Sequence, residues 1–509
     1  MPYQRIVNAD SEPREWLTYS GDLQGHRYSA LDQINRENIA RLKIAWMYQS
    51  GTSRRLETSP LVFGGAMYIT EQPSDVTALD IHTGKPIWTY RRTLPKDVIV
   101  CCGRVNRGLA VLNDRLYLGT LDAHLVALNI HTGKVLWDVE VADYKDAYSI
   151  TEAPLAVKDK VIVGIAGAEY GIRGFLDAYD ANTGARVWRF WTVPGPGEAG
   201  NDTWSGDSWR IGGAPTWVTG AYDSEANLVY WGTGNPSPDY VGDDRQGDNL
   251  YSDCLLALDA DTGKLKWYFQ FTPHDVNDMD ANQVPVLVDA DFLGRPRKLV
   301  LFANRNGFYY VLDRLTGEFL LAKPFARQTW AKGLDKHGRP IPNPETFPSF
   351  EGALVYPDDD GTANWFSPSY DPLTGLFYQN VREKGGIYQR TQVPREPGKM
   401  YLGASKHAVP GEEPWGALRA IEAKTGEMRW EFRVPSPPWC GVLSTAGGLV
   451  FSGSMEGDFF AVDALTGKQL WRIQTGAAIW ANPVSYAMEG KQYIAIAVGG
   501  TMIAFNLGQ

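Results

Sequence analysis

The stretch 78-ALDIHTGKPIW-88 decides how this chain of 509 residues folds. Ala-Leu-Asp reads as the end of a short apolar strand. Thr-Gly closes a turn, and Gly84 supplies the positive φ that other residues resist. The strand that follows ends on Trp88, a large apolar plug with one N–H to satisfy. The same phrase returns as 127-ALNIHTGKVLW-137, 178-AYDANTGARVW-188, 257-ALDADTGKLKW-267, 311-VLDRLTGEFLL-321, 420-AIEAKTGEMRW-430 and 461-AVDALTGKQLW-471. A degenerate eighth copy, 42-LKIAWMYQSG-51, keeps only Trp46. The turn glycines (Gly84, Gly133, Gly184, Gly263, Gly317, Gly426, Gly467) mark a unit of roughly 40–55 residues with insertions, the period of a propeller blade. The long interval between Gly317 and Gly426 holds another strand pair, 366-FSPSYDPLTGLFYQNV-381, and so has room for one extra sheet.

Upstream of most copies lies a second alternating strand pair, so each unit supplies about four antiparallel strands. The expected fold is all-β: an eight-bladed β-propeller with tryptophan-docking motifs, forming a single domain over residues 1–509. A β-solenoid or tandem sandwiches are the alternatives, and the repeat spacing favours the propeller. The 18 Trp, 25 Tyr and 53 Gly suit strands joined by tight turns. A net charge of −10 supplies no basic face, which argues against nucleic acid and anionic membranes as partners. No run approaches the ~20 apolar residues of a membrane span. The N-terminus, MPYQRIVNADSEPREW, lacks the apolar core of a signal peptide, so the chain is either cytosolic or already free of its leader. There is no C-x-x-C-H, hence no covalent haem, and four cysteines make no disulfide framework.

Chemistry is to be sought where the repeat breaks. The interrupting segments include 56-LETSP-60, 98-VIVCCGRVNRGLAV-111, 164-GIAGAEYGIRG-174, 232-GTGNPSPDY-240, 272-TPHDVNDMDANQ-283, 304-NRNG-307, 362-TANWFSPSYDP-372 and 438-PWCGVLSTAGG-448. Oxygen donors from Glu169, Asn235 and the aspartates suit a hard cation. Arg107 and Arg305 suit ligand carboxylates or carbonyls, and Trp217 and Trp439 are plates for a planar ring. The adjacent Cys101 and Cys102 stand either as a strained eight-membered disulfide ring or as two reduced core thiols; spacing alone leaves both open.

C-C-x-x-V-N-R-G-L-A, G-A-E-x-G-x-R-G, G-T-G-N-P and T-P-H-D-x-x-D, in this order on a Trp-docked propeller, resemble the pyrroloquinoline-quinone (PQQ) alcohol dehydrogenases, which include methanol and ethanol dehydrogenases. The resemblance covers nearly the whole chain, from 16-WLTYSGDLQGHRYS-29 to the last blade. It implies that Cys101–Cys102 is a vicinal disulfide above the PQQ plane and Trp217 the plate beneath. Glu57, Arg107, Thr151, Gly167, Ala168, Arg305, Asn364 and Trp439 match positions that hold or wall the cofactor. Glu169, Asn235 and Asp278 match metal ligands, with Asp278 also the catalytic base and Arg305 the catalytic arginine. Pro215 departs from the threonine of many relatives and Cys440 from a common glycine.

Asp280 stands two residues after Asp278, and on a strand both carboxylates point one way. Family members that use calcium usually carry a small uncharged residue there, and lanthanide members an aspartate. A trivalent ion gains more from the further anionic donor, so the resemblance favours a lanthanide, with Ca²⁺ as the alternative. The implied reaction is alcohol oxidation to an aldehyde or ketone by metal-assisted hydride transfer to PQQ C5, with electrons passed to a separate cytochrome c-type acceptor. If the chain is exported, the periplasm is favoured, since the disulfide that the resemblance implies survives there. The substrate is not named by the sequence, and the oligomeric state is left open, a homodimer included. His274–Asp275 reads as support for the Asp278 segment rather than a dyad. The insertions 327–350 and 382–407 read as a lid or as surface loops. A non-catalytic assembly scaffold and a propeller hydrolase or lyase are the competing functions; neither needs the cysteines together with this donor set.

Overall fold

In the computed structural model, which describes residues 1–52, 55–396 and 398–508, the described residues form eight sheets that each carry four antiparallel strands. Blades 1 to 7 run in chain order over 61–90, 110–140, 155–191, 221–270, 286–324, 369–434 and 443–474. Blade 8 joins the two ends of the chain: Lys43–Gln49 pairs antiparallel with Thr501–Asn506, beside Lys491–Val498 and Val484–Met488. The degenerate copy around Trp46 is thus the outer strand that closes the ring. Tyr28–Ser29 adds a parallel edge to blade 7.

The repeated phrase explains how blades hold each other. The Asp80 carboxylate accepts the N–H groups of His82 and Thr83 and the Thr83 hydroxyl, an Asx turn repeated at Asn129, Asp180, Asp259, Asp313 and Asp463. Each turn ends on a glycine that receives the previous blade's indole. A Cβ on Gly84, Gly133 or Gly467 would lie 2.5 Å from Trp46, Trp88 or Trp430, so glycine is required for space as well as for φ. The docked indole N–H donates to the carbonyl just past the turn aspartate, as in Trp46 to Ile81 (2.8 Å), Trp188 to Ala260 (3.1 Å) and Trp267 to Arg314 (3.0 Å).

The tryptophan sits mid-strand rather than at the strand end. A register shift beside it leaves the indole opposite a small residue: Ala78 faces Trp88, Ala178 faces Trp188 and Ala504 faces Trp46. Truncating such a plug costs about 3–5 kcal/mol. Blade 5 replaces it with Leu321; the Lys323 stem covers Gly426 and the Tyr309 hydroxyl takes the Ala423 carbonyl. Blade 7's Trp471 meets no Thr-Gly turn and packs edge-on to Phe505, 5.6 Å between centroids.

One expectation for the long interval is corrected. The pair within 366–381 makes no extra sheet: Ser369–Asp371 and Leu376–Glu383 are the first two strands of blade 6, completed by Trp415–Glu422 and Met428–Val434. The extra material instead forms a hairpin (Ala331–Leu334 with Pro340–Pro342) and a three-stranded sheet (Ala353–Val355, Gly386–Arg390, Ala404–His407).

The segment 16–29 is pinned to the propeller by a partly buried charge pair. His26 Nδ1 lies 3.1 Å from Asp22 Oδ2, and Nε2 lies 2.6 Å from the Leu287 carbonyl. Burial alone would lower the imidazole, but the Asp22 charge and both hydrogen bonds win and push it up to about 9. A folded value above the unfolded one gives stability that is complete below about pH 6.5 and lost as pH rises through about 9. Wild type should therefore exceed His26→Gln by about 3 kcal/mol at acidic pH. The gap should close above pH 9 in denaturant titrations; a pH-independent gap would contradict the charged pair.

Candidate active site

The segments that lead into the eight blades converge on one cavity of ≈ 280 Å³. Glu57 precedes blade 1, Cys101, Cys102 and Arg107 blade 2, Thr151 blade 3, Trp217 blade 4, Asp278 and Asp280 blade 5, Asn364 blade 6, Trp439 blade 7 and Trp480 blade 8; all line the cavity. Gly167, Glu169, Asn235 and Arg305 join them from turns within blades 3, 4 and 5. Of the expected site residues only Ala168, buried between Gly167 and Glu169, is not on the wall.

Cys101 and Cys102 are joined to each other by a disulfide, which resolves the choice that their spacing left open. Trp217 is tied to the carboxylate group, its indole N–H donating to Asp280 Oδ2 at 3.1 Å. Arg107 lies between aromatic plates, 5.1 Å from the Trp217 centroid and 4.8 Å from that of Trp365. It pairs with Glu57 Oε2 at 2.9 Å and donates to the Thr151 hydroxyl at 3.0 Å.

Glu169 rides a single 3-10 turn, Ala168–Tyr170, held between Gly167 and Gly171, both at positive φ. A Cβ on Gly167 would reach 2.4 Å from the Ala147 carbonyl, so only glycine fits. Cys102 Sγ lies 3.9 Å from Glu169 Oε1, while Oε2 is buried without a hydrogen-bond partner. Burial and the Asp280 charge push the Glu169 carboxyl up to about 7.

Residues 278–280 are not a strand, contrary to the face argument made from their spacing: Asp278 takes a left-handed conformation (φ 57°). Both carboxylates nevertheless line the cavity. Asp275 fixes the bend, its Oδ1 accepting the Asn277 N–H (2.8 Å) and its Oδ2 the Met279 N–H (2.6 Å). His274 turns instead to the Gly247 carbonyl at 2.9 Å, so of the two only Asp275 bonds to the bend at Asp278. Asp280 Oδ1 accepts the Asn235 N–H at 2.7 Å, an approach that Gly234 permits, since a Cβ there would sit 2.3 Å from that oxygen. Arg305 donates to Asp280 Oδ2 and reaches Asp278 Oδ2 at 3.3 Å. Burial drives the Asp278 carboxyl well above the usual range; Arg305 opposes this, and Asp280, Asp239 and Asp359 add to it.

The wall also carries residues that the sequence did not single out: Arg55, Asp360, Trp365 and Trp480. Asp239 lies behind it, fully buried, with one oxygen unpaired and its carboxyl raised by burial and by the Glu169 and Asp280 charges. Asp239, Arg55, Asp360 and Trp365 fall in or beside segments already marked by broken repeats; Trp480 carried no such signal. Neither insertion adds a described residue to the wall, so the lid expectation is not met in that form. The second does reach the Glu169 turn: Tyr401 N–H donates to the Glu169 carbonyl at 2.9 Å. Cys440 is a buried free thiol, its carbonyl accepting from Asn380 Nδ2 at 2.5 Å, and reads as core.

The cavity fits a flat polyanion on a cation. The disulfide and the Trp217 indole both line it. Five carboxylates face three arginines on the wall, a formal excess of two negative charges. Glu169 Oε2 and the Nε–H groups of Arg107 and Arg305 are buried with no partner, an acceptor and two donors awaiting a ligand.

Residues 16–324 and 399–494 match the family described as glucose/ethanol/alcohol dehydrogenase, β-propeller domain, PQQ type. The chain belongs to the PQQ-dependent alcohol dehydrogenases. The unmatched 325–398 spans the hairpin and most of the small extra sheet. Similar relatives include quinoprotein alcohol dehydrogenase PedH of Pseudomonas putida, 40% identical over 97% of this chain and 88% of its own. The lanthanide-dependent methanol dehydrogenase of Methylacidiphilum fumariolicum is 37% identical over 99% and 88%. Among solved structures, a europium-containing methanol dehydrogenase superposes with a TM-score of 0.93 at 33% identity, covering 99% of this chain and all of that one. The PQQ alcohol dehydrogenase reading of the sequence is borne out, and no helix among the described residues is long and apolar enough to cross a membrane.

Proposed function

We propose that this PQQ alcohol dehydrogenase works with a lanthanide held by Glu169, Asn235, Asp278 and Asp280. The observation that carries the reading is the second aspartate, Asp280, on the wall beside Asp278. Its Oδ2 is filled by Trp217 and Arg305, whereas Oδ1 accepts only the Asn235 N–H and keeps a lone pair for a cation. The wall's excess negative charge favours a trivalent over a divalent ion. The relatives named for lanthanide dependence and europium content support the same choice.

PQQ, when bound, supplies the two-electron oxidant that accepts hydride from the alcohol carbon. The cation supplies Lewis-acid polarisation. The chain supplies the rest. Arg107, Thr151 and Asn364 orient the cofactor's polar edge. Arg305 holds a hydrogen-bond donor where negative charge grows. Asp278 takes the hydroxyl proton on its carboxylate, which lines the cavity beside Arg305. Reducing equivalents leave to a cytochrome c-type acceptor in the periplasm, where the disulfide persists.

The test is reconstitution of metal-free protein with PQQ and either La³⁺ or Ca²⁺, following the bound-quinone absorbance and dye-linked alcohol oxidation. Lanthanum is expected to support turnover at micromolar levels where calcium does not. Equal activity with both would overturn the metal reading and leave the family standing.

A further inference from the structure

We propose that Arg55 is a latch at the rim of the cavity, a binding residue for the carboxylates of a flat polycarboxylate ligand beyond those matched by Glu57 and Arg107. The inference rests on the reading that PQQ occupies this cavity.

Arg55 differs from the other arginines of the wall. The Arg107 and Arg305 side chains are 6% and 8% exposed and Arg55 is 35% exposed, so Arg55 alone of the three stands between ligand and solvent. It touches three parts of the site at once. Its Nε lies 2.9 Å from Glu57 Oε1, its guanidinium stacks 4.0 Å from the Trp480 centroid, and its Nη2 reaches the Cys102 carbonyl at 3.4 Å. Gln72 Nε2 holds its backbone carbonyl at 2.8 Å. Trp480 in turn stacks on Trp439 at 5.4 Å and 18°, and the Arg382 guanidinium lies 4.0 Å from the Trp439 ring. Arg55 therefore sits on a braced aromatic column and not on a free surface.

Glu57 serves two arginines, one on each oxygen. One carboxylate against two guanidinium groups leaves one positive charge unneutralised at this corner. The Nη2 contact to Cys102 is long and goes to a neutral carbonyl, so a ligand carboxylate wins that edge readily. In the resulting arrangement Arg55 keeps Glu57 on Nε, keeps its stack on Trp480 and clamps the anion beside the disulfide loop. A residue so placed has to swing aside for entry and release, and it sets residence time more than it sets the chemistry.

The experiment loads the full chain with La³⁺ and PQQ and measures PQQ release into excess competitor by the loss of bound-quinone absorbance. Arg55→Ala is expected to release PQQ about 10- to 100-fold faster than wild type, the range of one lost charge-assisted contact. Arg55→Lys, which keeps the charge and loses the planar fork, is expected to fall between. PQQ association should become less salt-dependent in Arg55→Ala and stay unchanged in Arg55→Lys. Thermal midpoints report folding separately, and if the alanine variant is misfolded the lysine variant decides: release at the wild-type rate overturns the latch. Wild-type protein that takes up no PQQ overturns the cavity reading and the latch together. Tight wild-type binding with identical release from both variants overturns the latch alone.

Discussion

Asp278→Asn is expected to bind PQQ and its cation and yet to oxidise alcohols about 10²- to 10⁴-fold more slowly, the usual worth of a positioned general base. The substitution is chosen for what it preserves. Asn keeps an oxygen donor for the cation and tolerates the left-handed backbone that Asp278 adopts. The Asp275 bracket on the neighbouring N–H groups is untouched. What disappears is the ability to take a proton, so kcat should fall while the quinone absorbance of the loaded protein stays near wild type. A variant that binds PQQ and turns over normally would remove Asp278 from the base role.

Asp280→Ala should cost lanthanum-supported turnover more than about 100-fold, beyond the 10- to 100-fold typical of groups that only orient a metal ligand. Its carboxylate is a hub: the Asn235 N–H, the Trp217 indole and Arg305 all donate to it. Alanine orphans three donors and removes a negative charge from the cation's neighbourhood. Asp280→Asn keeps the size of the side chain and can still accept the Asn235 N–H on Oδ1, while its Nδ2 no longer accepts from the Trp217 indole and Arg305. If charge is what a trivalent ion needs, the Asn variant should lose lanthanum affinity nearly as fully as Ala. Undiminished lanthanum turnover in both variants would sink the assignment of Asp280 as a ligand.

Much of this molecule was legible because the repeat writes local physics into a short phrase. An aspartate, a threonine and a glycine in fixed order specify an Asx turn, and a tryptophan four residues after the glycine specifies the neighbour that lands on it. Blade number followed even where the phrase decayed to Trp46 alone. The site was legible for the opposite reason: its residues lie where the repeat fails. Two kinds of feature were not. The strand-face argument for Asp278 and Asp280 failed because the bend at Asp278 is set by Asp275 capping, a side-chain bond that alternation cannot foresee. Arg55 and Trp480 were missed because an arginine and an indole in blade-entry sequence gain meaning only when eight segments meet. The insertions could be located but not placed, since their docking rests on long-range contacts such as Arg339 with Asp248.

Blade 8 has a consequence for biosynthesis. Its outer strand is synthesised long before its partner, since Gln49 pairs with Thr501, 452 positions later. Until residues 484–506 are made Trp46 has its berth on Gly84 but lacks the other three strands of its sheet, and the growing product is a crescent with two raw edges. A break in the chain anywhere between residues 484 and 501 would therefore leave seven blades translated and the ring unsealed, so intolerance to loss of these strands should far exceed what the size of the lost piece suggests.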